Sequence, residues 1–434
     1  MKHARRRHSR LRTRVGGTTG FLALALGAGV APATAAEKTT NTPMTTAATL
    51  DTAATLDTAA SLDTAASLDA APAPGQLTLP APTGRYGVGT VDLHLRDPTR
   101  TDPWMPGQQP RELMVTLWYP ATHTTDYPAA PWMQPAAAAH FLASRQVPPG
   151  AVTLPTTAGH TGAPVDRRAG ELPVLLYSPG LHGNRAQGTS LAQDLASRGY
   201  LVVTIDHTHD AGEVEFPGGR LELNTMPPGS HSSDTIAVRA ADTRFVIDQL
   251  AAIDRGDNPD VDHKQLPHGL ARVDMDRIGM FGASLGGGTV PAAMQVDSRI
   301  RAGANLDGQL FGPAITQPLN RPFLLFSSQN HNRNSDRSWA KFWDHLHGER
   351  IDLKLLGSAH NSFVDNQVLF PQAPGAFRLT PDQLVQILGT IDPNRSIGVQ
   401  RTYLAAFFDK ELRHRHSSLL DGPSRHYPEV AFVR

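Results

Sequence analysis

Beyond about residue 77 the chain alternates between short unbroken apolar runs and longer stretches in which apolar positions recur every three or four residues. Residues 172–178 and 200–206 are runs of the first kind, and residues 188–198 and 234–253 have the helical spacing. A run apolar at almost every position is a strand buried on both faces, the habit of a parallel sheet covered by its crossover helices. The same reading places strands at 277–281, 302–306, 322–327 and 351–356, and a small-residue helix at 287–294. The expected fold class is α/β, a mostly parallel central sheet with helices on both faces, formed by residues 77–434 as one unit.

Between the strand at 277–281 and the helix at 287–294 stands Gly282-Ala283-Ser284-Leu285-Gly286. Gly-x-Ser-x-Gly at a strand-to-helix turn is the spacing of a nucleophile elbow, because a serine at the apex of so tight a turn needs neighbours without bulky side chains, and glycine alone tolerates the backbone angles freely. Elbow and strand order together fit an α/β-hydrolase fold. A serine hydroxyl is a weak nucleophile near neutral pH and needs a base within hydrogen-bond reach, with a third group to orient that base. In this fold the partners follow from later strand ends, acid first and histidine second. His360, just past the strand at 351–356, is the expected base. Two acids compete: Asp307 at the tip of the first strand after the serine, and Asp336 beyond the second. Asp307 is favoured, since residues 328–331 carry no carboxylate; the plain alternative for an Asp-Gly pair is a turn. His331, His345 and His347 read as surface histidines.

The oxyanion formed in acyl transfer has to be met by backbone N–H groups already in place. Leu285, next to the serine, and Leu181, in the glycine-bearing loop after residue 178, are the expected donors. Asp206, His207, His209 and Asp210 are zinc-ligand types, and the two histidines could line the pocket. Adjacent residues splay apart, however, and no second half-site stands at ligand spacing, so no metal is expected. Trp132, Phe141 and Phe363 read as packing residues, and residues 128–166 and 371–397 as candidate pocket covers.

The first 36 residues combine a basic run, an apolar core at 21–26 and the small-residue site Ala33-Thr34-Ala35. This is the pattern of a secretory signal peptide, so a secreted, extracellular protein is expected. Neither that core nor any later stretch is long enough for a transmembrane helix. Residues 37–76 repeat a hexamer of Ala, Thr, Leu and Asp with too little apolar surface to offset chain entropy, and read as a disordered linker. Forty basic and forty acidic residues cancel, which argues against nucleic acid and for an uncharged or zwitterionic substrate. With no cysteine in the chain, neither a disulfide nor a thiol nucleophile is available.

Several motifs in one order resemble the secreted and intracellular type II platelet-activating-factor acetylhydrolases and their bacterial relatives. They lie at residues 79–89 and 113–120, at Tyr177-Ser178-Pro179-Gly180-Leu181, at the elbow, at Asn305-Leu306-Asp307-Gly308 and at Ala359-His360-Asn361. The resemblance implies a Ser284, Asp307, His360 triad, oxyanion donors at Leu181 and Leu285, and catalysis without calcium or any other cofactor. It also implies a small-molecule or lipid ester substrate with short or oxidised acyl groups, met transiently at lipid surfaces. Ala283 departs from the histidine common at that position in the family. Two rivals stay open: a lipase or cutinase-like polyester hydrolase, and a non-catalytic binding module on a hydrolase scaffold.

Overall fold

The computed structural model describes residues 75–434 except Gln108. The expected signal peptide, and the expected linker up to residue 74, lie outside the described residues. The last two linker positions already belong to the fold, because Gly75 accepts a hydrogen bond from the Thr153 N–H and Gln76 bridges to Thr153.

The chain opens with a long hairpin, β1 (Gly87–Thr101) and β2 (Pro110–Ala121), then β3 (Ala129–Pro131), α1 (Pro135–Ser144) and β4 (Thr156–Thr161). Next come β5 (Leu172–Ser178), α2 (Thr189–Ser197), β6 (Leu201–Asp206), a small separate hairpin of β7 (Glu213–Phe216) and β8 (Arg220–Leu223), and α3 (Ser232–Asp254). After these follow β9 (Val273–Ala283), α4 (Leu285–Val296), β10 (Ile300–Leu306), β11 (Phe323–Ser327), α5 (Arg337–His345) and β12 (Arg350–Leu355). The chain closes with α6 (Asn366–Leu369), α7 (Pro381–Leu388), α8 (Pro393–Arg413) and β13 (Val430–Phe432).

Among the described residues eleven strands form one sheet, in the order β13-β12-β11-β10-β9-β5-β6-β2-β1-β4-β3. From β12 to β6 every pairing is parallel; β13 and β2 join antiparallel at either side. Successive residues of β5 enter opposite cores: Leu175 and Tyr177 pack with α2 and α8, whereas Val174 and Leu176 pack with residues of α3, α4 and α5. That two-sided burial is why the central strands read as continuous apolar runs. The chain lays β6 on one side of β5 and β9 to β12 on the other. The loops leaving β5 and β9 therefore diverge above the strand ends, where open α/β sheets form their crevice.

Candidate active site

Ser284 links β9 to α4 with φ +54° and ψ −126°, a backbone conformation that costs a non-glycine residue about 1–3 kcal/mol. Its neighbours explain how the turn closes. A β-carbon on Gly282 would come within 2.4 Å of the Gly286 backbone, and one on Gly286 within 1.9 Å of the Ser178 carbonyl oxygen. The Ser284 N–H donates to the Leu306 carbonyl at 2.9 Å, which ties the turn to the end of β10.

Asp307 follows β10 with φ +56°. The Asn305 side chain holds this turn, accepting from the Gly308 N–H and donating to the Gly308 carbonyl, both at 2.7 Å. His360 leads a short helical turn, His360–Phe363, beyond β12. Its Nε2 lies 2.9 Å from Ser284 Oγ, and its Nδ1 lies 2.6 Å from Asp307 Oδ2. Three strand ends thus deliver the three side chains selected by spacing into one hydrogen-bonded line. Asp307 is buried, whereas the His360 side chain is about half exposed (54%) and so open to a ligand.

His331 is not the surface histidine its sequence context suggested. Its Nδ1 lies 2.9 Å from Asp307 Oδ1, its Nε2 lies 2.9 Å from Asp336 Oδ2, and its ring rests against Trp339. Burial works against its charge, but its hydrogen bonds to the two carboxylates outweigh it and push the imidazole up to about 9. Burial likewise raises Asp307, yet its bonds to His331 and His360 win and hold it well below the usual carboxylate range. Asp336, the rival acid, caps α5 through the Ser338 N–H and reaches Asp307 only through His331. Aspartate on either side of a histidine 24 residues further on was the signal available in the sequence, and only the fold shows which partner it meets. His345 donates from Nδ1 to the Lys341 carbonyl of its own helix, and His347 is exposed, as read.

The loop after β5 passes beside the serine. A β-carbon on Gly180 would stand 3.3 Å from that of Ser284. Gly180 accepts from the Gly183 N–H at 3.0 Å across a turn that carries Leu181 and a left-handed His182. Among the described residues the Leu181 N–H meets no acceptor. Leu285 is the first residue of α4, so its N–H has no partner inside the helix and stands at the positive end of the helix dipole.

The cluster at 206–210 does not converge. Asp206 pairs with Arg185, Asp210 with Arg239, and His209 with Asp102. His207 lies 2.9 Å from Ser178 Oγ and 3.0 Å from Asp242, repeating the Ser–His–Asp order, but all three are fully buried. Both histidines are buried. Trp132, Phe141 and Phe363 are all buried packing residues. A cavity of about 110 Å³ lined in part by Trp118, Trp132, Arg185 and Glu213 includes none of Ser284, Asp307 or His360. Of the two candidate covers, residues 371–397 supply α7, which packs on the turn carrying His360.

The chain aligns with a ferulic acid esterase from Streptomyces cinnamoneus at a TM-score of 0.70 and 37% identity, over 83% of this chain and all of the other. It is 31% identical over 395 residues to an Arthroderma benhamiae protein described as a probable 1-alkyl-2-acetylglycerophosphocholine esterase, covering 83% of this chain and 95% of the fungal one. It is 25% identical over 372 residues to the platelet-activating factor acetylhydrolase of Canis lupus familiaris, with 78% of each chain covered. Fold and relatives together define a carboxylic-ester hydrolase of the α/β-hydrolase class. Within that class, the family described as platelet-activating factor acetylhydrolase, isoform II, matches residues 72–215 and 233–422, and the chain belongs to it.

Proposed function

We propose that the protein is a secreted serine esterase that works through an acyl-enzyme on esters with short or oxidised acyl groups, including phospholipids of the platelet-activating-factor type. The observation that carries this reading is the line Ser284–His360–Asp307 beside two free backbone donors. His360 Nε2 takes the Ser284 proton as Oγ attacks the ester carbonyl, and Asp307 keeps Nδ1 protonated and steadies the imidazolium. The tetrahedral oxyanion is met by the N–H groups of Leu181 and Leu285. His360 then gives its proton to the leaving alcohol, and a water activated by the same nitrogen releases the acid. No step calls for a cofactor. Leu181, about half exposed (45%), and Val385 of α7 offer apolar side chains on two elements of this face, which suits brief contact with a lipid surface.

A second reading, an aromatic acyl group such as ferulate, is favoured by the similarity to the Streptomyces esterase. The test is intact-mass analysis after an organophosphonate ester, followed by rates on p-nitrophenyl esters of rising chain length, an acetylated ether phospholipid and methyl ferulate. A single adduct and a rate that falls beyond short chains support the main reading. Preference for methyl ferulate selects the second; preference for long chains or polyester film selects a lipase or cutinase. No adduct and no turnover return the binding-module reading. Export is tested by N-terminal sequencing of protein recovered from culture medium, with cleavage near Ala35 expected.

A further inference from the structure

Arg239 lies in the interior of α3, fully buried, and is remote in sequence from every motif of the site. Its Nε and Nη2 pair with the buried carboxylate of Asp210 at 2.6 and 2.8 Å. The rest of its fork grips the loop after β5: Nη1 donates to the Pro179 carbonyl at 2.5 Å and Nη2 to the Gly180 carbonyl at 3.0 Å. Burying a guanidinium is costly unless its donors are satisfied, so a fork fixed by one carboxylate and two consecutive carbonyls is held in a single position. A trans peptide points its C=O and N–H in opposite directions. Drawing the Gly180 carbonyl toward Arg239 therefore turns the Leu181 N–H away from Arg239. Gly180 itself lies against Ser284, 3.3 Å from its β-carbon to an added one.

We propose that Arg239, anchored by Asp210, is the positioning residue of the oxyanion site: it fixes the peptide between Gly180 and Leu181 so that its N–H is aimed before substrate arrives. This rests on the reading of Leu181 as an oxyanion donor. Preorganisation of this kind lowers the barrier without strengthening ground-state binding, so its loss falls on kcat and on affinity for oxyanion mimics, not on KM.

Arg239→Lys keeps the charge beside Asp210 but cannot span both carbonyls. On p-nitrophenyl acetate it should lower kcat about 10- to 100-fold with KM within about twofold, a partial form of losing one oxyanion donor. Affinity for an alkyl trifluoromethyl ketone, which Ser284 converts to a tetrahedral oxyanion, should fall in proportion, with the pH profile of kcat/KM unshifted. Leu181→Pro, which deletes the N–H itself, is measured alongside and should lose both quantities. If folded R239K keeps wild-type kcat and ketone affinity while L181P loses them, Arg239 has no such role and the donor assignment stands. If L181P keeps both, the donor assignment falls and the role of Arg239 with it. Should R239K not fold, Asp210→Asn frees the fork from its anchor and is judged by the same two quantities.

Discussion

Nδ1 of His331 stands 2.9 Å from Oδ1 of Asp307, the oxygen that His360 leaves free. Asp307 thus serves two histidines at once, one on each carboxylate oxygen. With Asp336 on its other nitrogen, His331 can satisfy both neighbours only by donating from both, which makes it an imidazolium. Its charge keeps the acid of the triad ionised and its two carboxylate partners fixed.

The two candidate acids are therefore connected but not equivalent. Asp307→Asn should lower kcat by about 10⁴, on the scale of the serine-protease aspartate. Asp336→Asn retains an N-cap side chain for α5 and should stay within about tenfold of wild type. Steady-state rates on p-nitrophenyl acetate separate them; the opposite ranking would transfer the acid role to Asp336.

Ser284→Ala should lower kcat by about 10⁶ and abolish the organophosphonate adduct while leaving the melting temperature close to wild type. Rates and intact mass on one preparation check both halves. An adduct that persists on the variant would place the nucleophile elsewhere.

His331 also makes stability depend on pH. A free histidine titrates near 6.5 and this one near 9, so the folded state holds the extra proton more tightly. Its contribution is complete below about pH 6.5 and fades as pH climbs through 9. Melting temperatures at pH 6.5 and 9 should differ more in wild type than in His331→Gln. Equal differences would show that the imidazole is not charged at neutral pH.

Asp365 adds a dependence of the same sign at lower pH. Its buried carboxyl accepts from the Ser190 N–H and Trp132 Nε1, and burial pushes it up to about 7. The unfolded chain releases this proton near 3.8, so stability declines as pH rises from there to about 7. Asp365→Asn, which keeps a neutral acceptor, should flatten the change in melting temperature between pH 4.5 and 7.5.

The pattern of apolar residues alone reveals the parallel half of the sheet, because strands covered on both faces must be apolar at nearly every position. The sequence also singled out Ser284, Asp307 and His360, since a tight elbow demands glycine on either side and the partners follow at strand ends. The hairpin of β1 and β2 was legible only as family motifs: its residues mix buried polar groups such as Thr90, Asp97 and Thr116 into the apolar pattern. Two polar arrangements become visible only in the folded molecule. His331 and Arg239 look like ordinary exposed residues in a string of letters, because nothing local shows that a charge will be buried. What fixes their roles is the set of partners brought from distant positions, Asp307 with Asp336 in one case and Asp210 with the Pro179 and Gly180 carbonyls in the other. A buried charge is tolerated only where such partners converge, and convergence is a property of the fold.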